Sequence, residues 1–128
     1  EVTFVDKESK DNPELEYQKW KLEVRRGALS LAILAVISAG QSYGYDIMKK
    51  LSETGYKALQ VEPSTTYPLL RRLERRGMLE GHKVESDGRI RRHYYITREG
   101  REYLERMVGS WQDLNNQLEL LLKEADLL

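Results

Sequence analysis

The spacing of apolar residues along the chain predicts five helices and one β-hairpin. A first helix, at about residues 13–25, places Tyr17, Trp20 and Val24 on one side. After Gly27, residues 28–39 are almost wholly apolar, which is typical of a helix at the centre of a core. Amphipathic helices are predicted at about residues 43–54 and 63–76. The helical periodicity then gives way to a strand pattern.

Two segments of alternating side chains, residues 79–85 and 89–96, flank Ser86-Asp87-Gly88. Asp-Gly between two such segments is a strong signal for a hairpin turn. Each side of the second strand mixes apolar and cationic residues, so the sequence alone leaves open which side faces solvent.

The last helix, from Arg98 to about residue 122 or beyond, has the most regular pattern. Its apolar residues recur in steps of three and four, as in a coiled-coil seam: Leu104, Met107, Trp111, Leu114, Leu118, Leu121, Ala125 and Leu128. A seam of this length usually packs against another helix, and a second copy is the simplest partner. Folding back onto the chain's own core is the alternative. With Trp20, residues Leu104 to Leu121 of this seam are therefore the predicted dimer interface.

Three helices, a hairpin and a further helix form the order of a winged helix-turn-helix. We expect a mainly α fold with a small hairpin: a flexible arm at residues 1–12, a winged-helix domain with an extra N-terminal helix at 13–97, and a dimerisation helix at 98–128. Its 128 residues suffice for one compact domain with a real core.

Charge is neutral in total but unevenly distributed. Residues 71–101 hold ten Lys/Arg against five acids, and residues 102–128 hold two against six. A basic face, and not a basic total, is what nucleic-acid binding requires. The chain has no cysteine and no apolar run long enough to span a bilayer, which favours a cytoplasmic protein.

The exposed side of the helix at 63–76 and the hairpin carry the candidate DNA contacts. The hydroxyls of Ser64, Thr65 and Tyr67 can bind phosphates near a helix N-terminus, and Arg71 can bind guanine in a bidentate manner. Arg75 is nearer the C-terminus of this helix, where we expect its side chain to meet phosphate or solvent. On the hairpin we expect Lys83, Arg89 and Arg91 to contact DNA.

Nothing in the sequence indicates catalysis, a cofactor or a metal site. His82 and His93 could face each other across the hairpin, but no third ligand accompanies them, so they are interpreted as ordinary hairpin residues. Trp111 has two interpretations: packing in a dimer core, or a flat wall that binds a planar hydrophobic effector between subunits.

Three motifs in this order resemble the PadR family of transcriptional regulators: SYGYDI at 42–47, TYPLLRRLERRGM at 66–78 and RRHYYITREG at 91–100. The chain is similar to the short subclass, which has a single C-terminal helix. The resemblance implies a homodimer that binds pseudo-palindromic promoter DNA, usually as a repressor. It implies DNA contacts by Tyr43, Thr65, Thr66, Tyr67 and the hairpin arginines, and an effector stacked on Trp111. Thr66 stands where the family pattern has leucine.

We therefore expect a homodimeric DNA-binding regulator, with a small hydrophobic or aromatic effector as the candidate signal for its release from DNA. Two alternatives remain open: a ligand-sensing or protein-interaction module that does not bind DNA, and a binder of double-stranded RNA or Z-form nucleic acid.

Overall fold

A computed structural model describes residues 12–40 and 42–128, and within them the chain forms four α-helices, one 3-10 helix and a two-stranded antiparallel sheet. In chain order these are α1 (Pro13–Ser38), α2 (Gly44–Leu51), the 3-10 helix (Thr54–Leu59), α3 (Pro63–Arg75), β1 (Leu79–Ser86), β2 (Arg89–Ile96) and α4 (Arg98–Glu124). The predicted arm, residues 1–12, lies outside the described residues except for Asn12.

Helix α1 is continuous from Pro13 to Ser38, so the prediction of two helices separated at Gly27 is wrong. Asn12 caps the start of the helix, because its side chain accepts a hydrogen bond from the Leu15 backbone N–H at 3.1 Å. One glycine costs a helix only about 1 kcal/mol, which is too little to interrupt it when the residues on both sides favour helix. The buried residues all lie in the second half of α1, from Leu29 onward.

The core forms where α1, α2 and α3 cross. Ile33 and Leu34 from α1, Ile47 from α2 and Leu70 from α3 are all fully buried. Burying each such side chain contributes about 1.5–3 kcal/mol, so this contact fixes the three helices relative to one another. Helix α2 ends at Leu51, earlier than predicted, and the 3-10 helix that follows it has no apolar periodicity from which it could be predicted.

The predicted hairpin is confirmed as the wing, the β-hairpin of a winged helix-turn-helix, with Leu79 opposite Ile96 and Ser86 opposite Arg89. Asp87 and Gly88 form its two-residue turn with φ of 53° and 75°, the left-handed pair that a type I′ turn needs. Tyr94 is buried against the helices, whereas the other residues of β2 are half-buried or exposed.

Helix α4 begins at Arg98, as predicted, and Thr97 caps it, because the Thr97 hydroxyl accepts a hydrogen bond from the Gly100 N–H at 2.9 Å. Only its first third contacts the body of the domain, where Leu104 and Met107 pack against the core. Every residue from Val108 onward is exposed. The helix ends at Glu124 and Asp126 is left-handed, so Ala125 and Leu128 do not extend the seam as predicted.

Gly100 and Gly109 provide a matched test of the α4 junction. A Cβ at Gly100 would overlap the Met78 carbonyl oxygen, whereas a Cβ at Gly109 would meet nothing within 4 Å. We expect Gly100→Ala to lower the free energy of unfolding by about 1–3 kcal/mol, because the backbone of Met78 cannot yield cheaply. Gly109→Ala should raise it by about 0.5–1 kcal/mol through helix propensity. Urea denaturation at one fixed protein concentration measures both changes; equal effects would contradict the packing described.

Candidate nucleic-acid interface

Helix α3 presents one polar face to solvent. The buried side of this helix consists of Leu69, Leu70 and Leu73, together with Thr66. The opposite side exposes the residues predicted to contact DNA: Ser64, Thr65, Tyr67, Arg71 and Arg75. Its first residue, Pro63, lacks the N–H that a first helical position would leave unpaired, and Gly77 follows its end with φ of 76°.

Thr66 does not belong to this exposed face. Its side chain is fully buried, and its hydroxyl donates a hydrogen bond to the Glu62 carbonyl oxygen at 3.0 Å. A buried hydroxyl needs such a partner, and the backbone one turn earlier provides it. The expectation that the Thr66 side chain contacts DNA is therefore wrong: Thr66 fills a core position, which accounts for leucine in the family pattern there.

Tyr43, just before α2, is held against the wing. Its ring meets the His93 ring edge-on, with centroids 3.7 Å apart, and the Arg91 guanidinium lies 5.2 Å from the Tyr43 centroid. The Tyr94 N–H donates to the Ser42 carbonyl oxygen at 2.8 Å, and Ser42 Oγ lies within hydrogen-bond distance, 3.3 Å, of His93 Nδ1. These contacts join the start of α2 to β2.

Gly44 allows Tyr67 of α3 to lie against the first turn of α2. A Cβ at position 44 would stand 2.6 Å from Tyr67 Cε1, closer than unbonded carbon atoms come. The absence of a side chain therefore positions the Tyr67 phenol beside Tyr43.

A groove of about 410 Å³ runs between the start of α2, helix α3 and the wing. Four predicted contact residues line it: Tyr43, Tyr67, Arg89 and Arg91. A neighbouring hollow of about 470 Å³ contains Arg71 and Arg75, and it shares Arg92 and Tyr94 with the groove. Six of the predicted residues are thus brought onto one continuous surface, which we call the recognition face.

The remaining predicted contacts lie elsewhere. Ser64 lines neither hollow, and Thr65 lines a separate cleft between α1 and α3. Lys83 pairs with Arg92 across the sheet, whereas Arg89 and Arg91 occupy the alternate positions of β2. Directly opposed residues of an antiparallel pair point to the same side, so Lys83 shares the side of Arg92, but Lys83 itself lines neither hollow.

Arg92 connects the wing to α3. Its Nε donates to Glu74 Oε1 at 3.2 Å, and its Nη2 forms a second, close ion pair with Glu74 Oε2. The guanidinium reaches Glu74 across Gly81, where a side chain would collide with it. The hydrogen bonds and charge of Arg92 hold the pKa of the Glu74 carboxyl below its ordinary value. Arg92 therefore sets the position of the wing beside α3.

Burial raises the pKa of the neighbouring Tyr94 phenol. Tyr94 is thus a neutral packing residue under the recognition face.

Two residues of the recognition face were missed in the sequence analysis. Tyr45 also lines the groove and is 64% exposed, and its place two residues after Tyr43 in the SYGYDI motif was the available signal. Ile90, at the wing tip, is 71% exposed between Arg89 and Arg91.

The histidines of the hairpin do face each other, since His82 and His93 are register partners. His93 Nδ1 lies within hydrogen-bond distance of Ser42 Oγ, and His82 Nε2 lies 3.5 Å from Glu80 Oε1. In residues 12–40 and 42–128 no group of three potential metal ligands is present. The helices of the same residues include none that is long and apolar enough to cross a membrane.

Five of the seven predicted dimer residues are exposed, and the other two, Leu104 and Met107, pack against the core of their own chain. Trp20 of α1 is 58% exposed and stacks on Tyr17 with centroids 6.3 Å apart. Trp111 of α4 is 47% exposed, and Leu114, Leu118 and Leu121 are about half exposed or more. In a single chain these apolar groups face solvent.

The arrangement of exposed helix, exposed wing and buried trihelical core agrees with the comparison to known proteins. Residues 33–106 match the model of the transcriptional regulator PadR-like family, which is more than half of the chain. The chain belongs to the PadR-like family. This PadR-like protein is thus a transcriptional regulator that acts through DNA, and the family consists of regulators and not of enzymes.

Individual relatives agree with this assignment. A transcriptional regulator of Mycobacterium tuberculosis is 39% identical over 82 residues, covering 64% of this chain and 74% of the relative. The crystal structure of a PadR-like regulator from Bacillus cereus is 34% identical, with a TM-score of 0.69 and coverage of 78% and 96% of the two chains. A PadR family structure from Eggerthella lenta is 32% identical, with the same TM-score and coverage of 85% and 94%.

Proposed function

We propose that this regulator binds promoter DNA as a homodimer, with α3 in the major groove and the wing along the neighbouring backbone or minor groove. The observation that carries the proposal is the recognition face, where Tyr43, Tyr67, Arg71, Arg89 and Arg91 adjoin. Arginine matches guanine in a bidentate manner in the major groove, and tyrosine hydroxyls bind phosphate oxygens. Ser64, Thr65, Arg75 and Lys83 complete the proposed contact set.

The two arginines should have different roles. Arg71 lies in the middle of α3, where a side chain reaches base edges, and Arg91 lies on the wing, where cations meet phosphates. We expect Arg71→Ala to weaken binding to the promoter duplex by about 1–3 kcal/mol and to reduce discrimination against unrelated DNA. Arg91→Ala should weaken binding to both duplexes similarly and lower the slope of log K against log salt by about 1.

Fluorescence anisotropy with a labelled duplex from the region upstream of the chain's own gene, and with a scrambled duplex, measures both effects. Lys123→Ala is the control, because Lys123 pairs with Glu119 at the far end of α4. Unchanged affinity in both arginine variants would refute this assignment of contacts. Wild-type protein that binds no duplex would instead favour a sensing or protein-interaction module.

The homodimer is proposed from the apolar surface that a single chain exposes. From Trp111 to Leu121 the α4 seam lies in solvent, and the first half of α1 exposes Tyr17 and Trp20 as well. Contiguous apolar surface of this kind marks an interaction site. A seam with coiled-coil spacing fits a second copy of the same helix, and a two-fold dimer would present two α3 helices to successive major grooves about 34 Å apart.

Leu118→Glu tests the dimer without touching the protomer core, because Leu118 is 49% exposed in the single chain. A charge buried in the seam without a partner opposes association, so we expect monomers by sedimentation velocity at concentrations where the wild type is dimeric. The affinity for DNA should fall when the dimer is lost. Asn116→Glu, on the opposite side of α4, is the control with equal charge. A wild type that stays monomeric at all concentrations would refute the proposal.

We further propose that the regulator represses transcription and that a planar hydrophobic effector between the subunits, stacked on Trp111, releases it. The indole of Trp111 is large for a seam position and could hold the two α4 helices apart. Such an effector acts only if it binds the DNA-free dimer more tightly than the DNA-bound one.

Quenching of tryptophan fluorescence by planar aromatic compounds tests this effector site. The variant Trp20→Phe leaves Trp111 as the only indole, and Trp111→Phe leaves only Trp20. We expect saturable quenching in Trp20→Phe and its loss in Trp111→Phe. A signal that is equal in both variants, or absent from both, would favour plain packing for Trp111.

A further inference from the structure

A second basic surface lies on the far side of α3 from the wing. The second half of α1, the 3-10 helix and the first turn of α3 enclose a cleft of about 710 Å³. Arg25 and Arg26 from α1 and Lys57 from the 3-10 helix line it, with Glu62 as the only acid among the lining residues. We call this surface the α1–α3 cleft; its lining carries a net charge of +2.

The three cations of the cleft have no internal counterions. Within residues 12–40 and 42–128, none of the ion pairs involves Arg25, Arg26 or Lys57. Arg25 Nε is shielded from solvent and has no hydrogen-bond partner among the same residues. Like charges gathered without a counterion repel one another, and a partly buried guanidinium gains from an anion that accepts its N–H groups. The cleft is therefore built to accept an anion.

Thr65 brings the first turn of α3 into the cleft. It is exposed in the first turn of α3, and its side chain is part of the cleft lining. Gln60, also in the lining, adds an amide donor next to Lys57. The donors that phosphate oxygens prefer, guanidinium, ammonium, hydroxyl and amide, thus converge at one end of α3.

The position of the cleft can be compared with the geometry of duplex DNA. A helix in the major groove lies between two sugar–phosphate backbones. Thr65 lines the cleft and Glu74 binds the wing through Arg92; nine residues apart on α3, at about 100° per residue, they point to opposite sides of the helix. The cations of the wing and those of the α1–α3 cleft therefore flank α3. A protein that grips both backbones fixes the register of its recognition helix more firmly than one that grips a single backbone.

We propose that the α1–α3 cleft binds backbone phosphates of the DNA strand on the side of α3 opposite the wing, through Arg25, Arg26 and Lys57. This rests on the proposed insertion of α3 into the major groove. Its consequence is that part of the DNA affinity comes from α1, outside the helix-turn-helix and the wing. That contribution is independent of base sequence and depends strongly on salt.

The test compares two triple variants of the full chain with equal loss of charge. The cleft variant carries Arg25→Gln, Arg26→Gln and Lys57→Gln. The control carries Lys19→Gln, Lys21→Gln and Lys123→Gln, which are exposed and lie outside the cleft. Circular dichroism and sedimentation velocity first establish that both variants fold and assemble like the wild type. Anisotropy titrations over a range of salt concentrations then measure binding to promoter and scrambled duplexes.

We expect the cleft variant to bind both duplexes about tenfold or more weaker at 0.1 M salt, with the salt slope reduced by about 2–3, close to 0.9 for each lost phosphate contact. The control variant should keep a slope within about 1 of the wild type. An equal effect of the two variants would overturn the proposal, because net charge alone would then explain the loss.

Other outcomes separate the possible occupants of the cleft. If the cleft variant binds DNA normally but no longer binds inorganic phosphate by calorimetry, the cleft serves a free anion and the proposal is wrong. If the variant loses its dimer, the acidic α4 of a second copy occupies the cleft, and the proposal is again wrong. If the wild type binds no duplex, the proposed function itself fails. If Arg71→Ala loses DNA affinity but the cleft variant binds DNA like the wild type, the proposed function stands and only this inference is overturned.

Discussion

The burial of the apolar side of α3 in the core determines the rest of this structure. Leu70 of α3 is fully buried against a cluster that includes Ile33 and Leu34 of α1. Close packing leaves a helix little freedom to rotate, because interiors are filled like molecular crystals. Once Leu69, Leu70 and Leu73 face inward, the helical period requires Ser64, Arg71 and Arg75 to face outward together, with Tyr67 at the edge of that side. The exposed face of α3 is thus a consequence of its apolar side.

The wing depends on a different set of forces. Tyr94 anchors β2 by burial, the Glu74–Arg92 ion pair ties it to α3, and the backbone bond from Tyr94 to Ser42 ties it to α2. The ion pair is largely solvent-exposed, so its contribution to stability is small. Its importance is geometric: with Arg92 engaged by Glu74, Arg89 and Arg91 are left as the cations of the hairpin that face the groove.

Outside the body of the domain, the chain exposes apolar side chains of the kind that proteins usually bury. The first half of α1 and two thirds of α4 carry half-exposed apolar side chains along their length. The described chain therefore has one buried core and two helices whose apolar side chains are left exposed. The basic α1–α3 cleft and the acidic α4 distribute opposite charge over different parts of the molecule, although the total is zero.

Local patterns in the sequence were sufficient for the hairpin, the Asp87-Gly88 turn, the caps at Asn12 and Thr97, and the buried and exposed sides of α3, because each depends on a few neighbouring residues. Tertiary structure alone decided that α1 runs through Gly27, that Thr66 is a core residue, and that Arg92 is bound by Glu74 while Arg91 stays over Tyr43. The α1–α3 cleft is of this second kind. Its cations come from segments about thirty residues apart, and no period along the chain reports which distant side chains packing brings together.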